Sequence, residues 1–230
     1  MNLERLGTKY GGWFVENPLD LTPNSVVYSG GVGEDISFDL LLSHKYNPNI
    51  YLIDPTARAI SHFNGMRESF QHNKPLPDDV SDEYKSVIGC INPFFEKIRY
   101  EEVGLWNSNT TLTFYEPLNK QHVSHTFIPN MYAPVGVVDV PVVTIKHLME
   151  KHGHTHVDLL KIDIEGSEIA VVNQMLDDGI FPTHLCIEFD LYLKQKDTDQ
   201  STQKCLHRLQ KCGYTILFND NMNITLKRIS

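Results

Sequence analysis

Asp163, Glu165 and Glu168 crowd together in Leu159-Leu160-Lys161-Ile162-Asp163-Ile164-Glu165-Gly166-Ser167-Glu168, directly after an apolar run. An α/β sheet presents carboxylates in this way at the carboxyl end of a central strand, where ligands bind. A carboxylate there can accept a hydrogen bond from a ligand or take the proton of a reacting hydroxyl. Asp163 is the first candidate for a polar contact beside the reacting group, and Glu165 is the second. Both are equally suited to holding the loop, with Gly166 making its turn and Ser167 capping the next helix. Lys161 lies two residues before Asp163, so the two share one face of the strand. A lysine in an apolar strand needs a partner. Glu188, in Leu185-Cys186-Ile187-Glu188-Phe189-Asp190, is the expected one. Lys161 is then either a base of lowered pKa or half of a buried ion pair that positions Glu188 and Asp163.

A second constellation lies far upstream. Ser29-Gly30-Gly31-Val32-Gly33 follows an apolar strand and precedes Glu34-Asp35, which open a predicted helix. Glycines at such a turn let the backbone bend tightly and approach a ligand. About twenty residues further on, Asp54-Pro55 ends the next strand, at the spacing from which an acid accepts hydrogen bonds from a ribose diol. The cofactor-binding candidates are therefore Ser29, Gly30, Gly31, Val32, Gly33, Asp35, Asp54, Pro55 and Asp163. A dinucleotide would set its pyrophosphate on the helix N-terminus, where Glu34 and Asp35 would repel it. S-adenosylmethionine carries a sulfonium and an ammonium and no phosphate, so an acidic rim suits it better.

Histidines are plentiful. His122 and His125 fall in a long polar loop between two predicted exposed strands, and loops of this kind shape sites. His125 is thus a candidate general base beside the catalytic candidates Asp163, Glu165 and Lys161. His152, His154 and His156 alternate, but they precede a core strand at the end opposite the expected crevice. Asp163, Glu188 and Asp190 can in principle offer oxygen ligands, yet nothing requires a cation, and no metal is expected. Tyr10 to Trp13 can fold over the cofactor as a lid, and Trp106 follows the third core strand near where an adenine would lie. Packing is the alternative role for these aromatics.

The elements that must position these residues alternate between strand and helix. Core strands are predicted at Ser25–Ser29, Asn49–Ile53, within Phe94–Val103, at Val157–Ile164 and at Thr183–Phe189. Helices are predicted at Glu34–Tyr46, Thr56–Phe70, Ile145–Lys151, from Ile169 to Leu176, and at Thr198–Cys212. Thr110–Tyr115 and Val135–Val143 read as additional strands. Tyr214–Phe218 and Ile224–Ile229 read as a terminal hairpin, which places at least one strand antiparallel to the rest.

The 230 residues suit one sizeable α/β domain, and 41% hydrophobic residues supply its core. Residues 1–24 read as an N-terminal extension or lid, and residues 25–230 as the domain. A net charge of −9 with no basic run argues against a nucleic-acid partner. No run of about 18 apolar residues exists to span a membrane. The N-terminus lacks the apolar core of a signal peptide, so a cytoplasmic location is expected. The four cysteines show no metal spacing, and Cys186 reads as a small core residue.

These motifs carry a family resemblance. Leu160-Lys161-Ile162-Asp163-Ile164-Glu165-Gly166-Ser167-Glu168 resembles the signature after the fourth strand of FkbM-type S-adenosylmethionine-dependent methyltransferases, a Rossmann-like class I group. Tyr28-Ser29 through Phe38-Asp39 resembles the cofactor loop of one branch, and Asp54-Pro55-Thr56 its second strand end. Tyr10-Gly11-Gly12-Trp13 resembles a segment often found ahead of the domain. The resemblance covers Tyr10 to Asp190. It implies a three-layer α/β sandwich with a seven-stranded, mostly parallel sheet and one antiparallel C-terminal strand. It also implies S-adenosylmethionine as methyl donor and a hydroxyl on a small molecule, sugar or lipid as acceptor, with a homodimer among the assemblies open to it. The family loop usually carries an Asp before its first Gly, where this chain has Tyr28-Ser29, so contacts to the methionine part of the cofactor would differ. Two other readings remain: an NAD-dependent oxidoreductase on a Rossmann fold, and a non-catalytic binding module that keeps the cofactor fold. Glu34-Asp35 and the lack of a third Gly at Ile36 speak against the oxidoreductase.

Overall fold

Strands buried on both faces read as near-continuous apolar runs, and four such runs make the centre of this chain. The computed structural model describes residues 2–77, 80–116, 136–190 and 200–229. Its first strands, β1 (Leu3–Leu6) and β2 (Trp13–Glu16), form an antiparallel hairpin. The central runs are β3 (Val26–Gly30), β4 (Asn49–Ile53), β9 (Leu159–Ile162) and β10 (His184–Glu188). Together with β5 (Ile98–Glu101), β11 (Tyr214–Asn219) and β12 (Asn223–Arg228) they build a seven-stranded sheet in the order β11-β12-β10-β9-β3-β4-β5. β12 pairs antiparallel with both β10 and β11, while the pairings from β10 across to β5 are parallel. One strand therefore runs against the others, as the terminal hairpin predicted.

Side chains alternate across this sheet and feed two cores. Val27, Ile50, Leu52, Leu159 and Cys186 point to one face. They meet α1 (Ser37–Tyr46), α2 (Ala57–Gln71), α3 (Asp82–Ile88) and the N-terminal hairpin. Tyr28, Tyr51, Ile53, Leu160, Ile162, Leu185 and Ile187 point to the other. That face is covered by α4 (Ile145–His152), α5 (Glu168–Asp177) and α6 (Ser201–Lys211). Helices on both faces of a mostly parallel sheet give the α/β layering expected from alternating elements. The strands β6 (Gly104–Leu105), β7 (Thr110–Glu116) and β8 (Gly136–Val143) make a separate small sheet, packed around Phe114, Val140 and Val142 with Trp106 against them. Trp106 thus belongs to that cluster, and Trp13, 3% exposed, to the main core.

Several local expectations are corrected. The first helix starts at Ser37, not Glu34, because Asp35 folds back to accept the Ser37 N–H at 2.9 Å and so ends the turn before the helix. The Tyr84 hydroxyl accepts the Ile36 N–H at 2.9 Å and does the work of a cap from outside the helix. Ser167 occupies the N-cap of α5 but makes no side-chain cap bond. Glu168 replaces it, its Oε1 accepting the N–H groups of Ile164 at 3.0 Å and Gly166 at 2.9 Å. Thr56 caps α2 through its hydroxyl, and Gly213, at φ +91°, follows the Cys212 cap of α6 in the left-handed conformation expected of it. The β1–β2 hairpin and α3 were not predicted; both lack a long periodic pattern. Among the described residues no helix is long and apolar enough to cross a membrane.

Candidate functional site

Three adjacent strand ends set the geometry. β4, β3 and β9 lie side by side, so the segments leaving their carboxyl ends, Asp54-Pro55-Thr56, Gly31-Val32-Gly33 and Asp163-Ile164-Glu165, line a single open cleft. Tyr10, Gly11, Asp35, Lys161, Gly104, Leu105 and Phe114 complete its walls.

The backbone builds the β3 side. Gly31 and Gly33 adopt φ of +69° and +53°. A Cβ on Gly31 would stand 1.7 Å from the carbonyl oxygen of Asp163, so no other residue fits between the two loops. The Gly31 N–H donates to the Ile53 carbonyl at 2.9 Å, and the Asp163 N–H to the Gly30 carbonyl at 3.1 Å. Asp54, 6% exposed, locks the loop after β4 to the loop after β3. Its Oδ2 accepts the Gly33 N–H at 3.0 Å, and its Oδ1 accepts the N–H and hydroxyl of Thr56 at 2.8 and 2.7 Å. A carboxylate has about four lone-pair sites, so this one still has an acceptor position after three bonds.

The predicted acids at the loop are held by other partners. Glu34 pairs with Arg58, and Asp35 Oδ2 accepts the Thr8 hydroxyl at 2.5 Å. Ser37 Oγ in turn accepts the Thr8 N–H at 2.9 Å. Residues 8–11 are thereby latched to the loop. Gly11 lies so close to Asp35 that an added Cβ would sit 2.6 Å from its Cγ. The Ile36 and Ser37 amides, which a pyrophosphate would use, already donate to Tyr84 and Asp35. Ser29 and Gly30 do not line the cleft. Ser29 is fully buried beneath it, and a Cβ on Gly30 would meet Leu105 at 2.5 Å. Val32, Gly33, Asp35, Asp54 and Pro55 do line it.

Side chains build the β9 side. Lys161, 6% exposed, lies on the face covered by α1 and turns its ammonium up to the loop. It donates to the carbonyls of Gly31 at 2.5 Å and Gly30 at 3.3 Å, and lies 3.6 Å from Asp163 Oδ2. Its ion-pair partner is therefore Asp163 rather than the expected Glu188. The reason is the loop: its carbonyls draw the ammonium toward β3, away from β10. Glu165 sits at φ +55° and Gly166 at φ +98°, a left-handed pair that turns the chain into α5. Carboxylate oxygens of Asp163, Glu188 and Asp190 lie within 4.8 Å of one another. Burial, then the charges of Asp163 and Asp190, push Glu188 up to about 8, against the pull of Lys161. Burial raises Glu168 well above the carboxylate range, with Asp190 adding to it. Asp39, in the first turn of α1, is pushed up to about 6 by burial, with Lys161 and Ser29 opposing. Tyr10, 79% exposed, lines the cleft from the N-terminal segment.

His122 and His125 lie outside the described residues. His152 bonds Glu101 at 2.9 Å and His154 bonds the Tyr28 hydroxyl at 2.7 Å, both on the sheet face that α4 and α5 cover. Neither histidine lines the cleft, although Glu101, paired with Ile53, stands at the carboxyl end of β5 rather than at the far end of the sheet. Gly104, Leu105, Thr56 and Phe114 line the cleft without having been singled out. Gly104 and Leu105 carry no polar group to mark them, and Phe114 belongs to the small sheet.

The model of the methyltransferase FkbM domain family matches residues 28–216. Among solved structures, a methyltransferase FkbM from Methylobacillus flagellatus KT superposes with a TM-score of 0.50 at 12% identity. The likeness covers 92% of this chain and 45% of that one, so this chain spans less than half the length of its neighbour. At that identity the likeness speaks for the fold. No curated protein matches the sequence significantly.

Proposed function

This chain belongs to the methyltransferase FkbM domain family, and we propose that it transfers a methyl group from S-adenosylmethionine to a hydroxyl of a small molecule, sugar or lipid. In this reading the sheet is that of a Rossmann-like class I methyltransferase, with residues 25–230 as the catalytic domain and residues 1–24 as an extension whose Tyr10 and Gly11 wall the cleft. The observation that carries it is the convergence of Asp54, the left-handed glycines and Asp163 on one cleft.

The residues fit the cofactor. Asp54 retains an acceptor position for a ribose hydroxyl, and it is pre-set by Gly33 and Thr56. The glycine turn brings backbone to the ligand with no side chain between. The α1 amides are already occupied, which disfavours a diphosphate and hence a nicotinamide dinucleotide. The carboxylates of Asp163 and Glu165 lie where cationic groups are favoured. When bound, S-adenosylmethionine supplies a methyl carbon already activated by its sulfonium.

The chain then has to align an acceptor oxygen and remove its proton. Alignment alone is a large part of catalysis for such a displacement. Asp163 lines the cleft and accepts the acceptor's hydroxyl proton. Lys161 is a positioning residue: it ties Asp163 to the Gly30 and Gly31 carbonyls, so the two sides of the cleft are fixed relative to each other. Glu165, held in its left-handed turn, stands beside them as a second polar contact.

Calorimetry of the purified chain tests the reading. S-adenosylhomocysteine should bind one to one and NAD should not. NAD binding, or no binding of either S-adenosyl compound, would overturn it. Mass spectrometry of a hydroxyl library after incubation with methyl donor then identifies the acceptor class.

A further inference from the structure

The most unusual buried group outside the cleft is His184. It opens β10 at the end of the sheet away from the cleft and is 1% exposed. Neither ring nitrogen has a hydrogen-bond partner among the described residues. A neutral imidazole carries one N–H and one lone pair, and leaving both unmet in the interior costs free energy. The surroundings do not favour protonation. Burial, and then the Lys227 ammonium, hold His184 below the usual histidine range, although Glu16, Asp20 and Asp158 pull the other way.

Two carboxylates face this ring. Glu16 ends β2, Asp20 follows four residues later, and each offers an oxygen such that these and a His184 nitrogen all lie within 4.8 Å of one another. Lys227, on β12 directly opposite His184 in the ladder, sets its ammonium on both acids, at 2.5 Å from Glu16 and 2.8 Å from Asp20. The ammonium answers the charge of the carboxylates and leaves the imidazole without a bond. One species satisfies all three groups together: a cation that accepts a nitrogen lone pair as well as carboxylate oxygens.

We propose that Glu16, Asp20 and His184 form a binding site for a divalent transition metal of the zinc class, with Lys227 holding the cation position when no metal is bound. The donor set of one imidazole and two carboxylates suits zinc or cobalt and leaves a fourth position for water. It suits calcium or magnesium less well, since those take oxygen ligands. Tetrahedral ligands at about 2.0 Å from zinc stand roughly 3.3 Å apart, so donors that lie within 4.8 Å of one another need to close by at most about 1.5 Å. Asp20, whose side chain is 68% exposed, is free to make that movement. Lys227, 23% exposed, can turn its ammonium out to water. The metal would staple the N-terminal hairpin to the sheet at β10. That seam is already held by Thr225, whose hydroxyl donates to the Phe14 carbonyl at 2.7 Å, and by Phe14 stacked on Phe218 at 4.4 Å.

The test is independent of the methyl-transfer reading because it follows metal binding and stability alone. The apo chain is titrated with Co²⁺ and Zn²⁺ while d–d absorption and melting temperature are followed. About one ion per chain should bind, with the visible band of a low-coordinate nitrogen–oxygen site. The melting temperature should rise by about 5 °C or more at a hundredfold excess over Kd. Asp20→Asn should weaken binding at least tenfold and His184→Gln should abolish the band, while Lys227→Met should bind at least tenfold more tightly. Should His184→Gln fail to fold, Asp20→Asn and Lys227→Met carry the test. No saturable binding overturns the proposal. So does binding that is indifferent to Asp20→Asn and Lys227→Met, which would put the ion elsewhere, for example on the acids of the cleft.

Discussion

The two sides of the cleft are built from different materials. On the β3 side a ligand would meet backbone: left-handed glycines, and Asp54 fixed by three hydrogen bonds. On the β9 side it would meet side chains: Asp163, Glu165 and the nearby Glu188, with Lys161 the cation among the lining residues. The first side is fixed by its own hydrogen bonds, and the second gathers three carboxyl groups around the single ammonium of Lys161. A surface that must hold one invariant ligand benefits from rigidity, whereas a surface that must move a proton needs groups whose charge is not already cancelled. The difference teaches that substitutions on the two sides should fail in different ways.

The largest effect is expected at the point where the sides touch. Gly31→Ala puts a Cβ 1.7 Å from the Asp163 carbonyl oxygen, at a φ that L-residues rarely adopt. The loops must separate, and S-adenosylhomocysteine affinity should fall by about 100-fold or more, or about 3 kcal/mol. Calorimetry reads it directly. Retention of wild-type affinity would mean that the close approach is not part of the binding surface.

Asp163→Asn tests the side-chain half. It keeps the shape, removes the charge opposite Lys161 and removes the proposed proton acceptor. Turnover should fall by about 100-fold, while cofactor affinity changes far less and the melting temperature stays within a few degrees. Full activity in that variant would strip Asp163 of its assigned part. On the backbone half, Asp54→Ala should do the reverse. The proposed charged acceptor for the ribose is lost, and the Gly33 amide and Thr56 lose theirs. Affinity for S-adenosylhomocysteine should drop by about 30-fold, roughly 2 kcal/mol. An Asp54→Ala chain that binds normally but turns over slowly would invert the comparison.

Much of this division was legible before any coordinates. Gly31, Gly33, Asp54 and Asp163 announce themselves because turn chemistry and strand ends act locally, within a few residues of sequence. The sheet was legible for a similar reason: the stretches at its centre that are buried on both faces, such as Ile50–Ile53 and Leu185–Ile187, hold only apolar and aromatic residues. What sequence did not disclose was long-range. Lys161 turns to Asp163 and the β3 carbonyls instead of Glu188, and that choice depends on where two loops meet. Tyr84 caps α1 from 48 residues away. Thr8 latches the N-terminal segment through Asp35, so the repulsive rim read from Glu34 and Asp35 is in the structure a pair of already engaged acids. His184 gave no signal at all, since a histidine at a strand start has no pattern to mark it.

The smallest expected effect, and the most direct measure of uncancelled charge, is the pH dependence of stability. An unfolded glutamate loses its proton near 4.5, whereas folded Glu188 keeps it to about 8. Between those values the folded chain binds more protons than the unfolded one, so stability falls as pH rises and levels off above about 8. Asp39 adds to the slope only up to about pH 6. Glu188 and the buried Glu168 continue the fall above pH 6, while His184 and His154, held below the usual histidine range, contribute the opposite slope near pH 6 to 7, so it is the difference between the wild type and a Glu188 variant that isolates the β9 side. Glu188→Gln keeps the shape and removes the charge, so it should flatten the fall in melting temperature from pH 6 to 8 and leave the chain a few degrees more stable at pH 8 than the wild type. Thermal scans of the ligand-free protein at constant ionic strength provide the measurement. If both chains lose stability in parallel from pH 6 to 8, Glu188 is ionised throughout. The charge on the β9 side is then cancelled as fully as on the β3 side, and the contrast between them reduces to backbone against side chain.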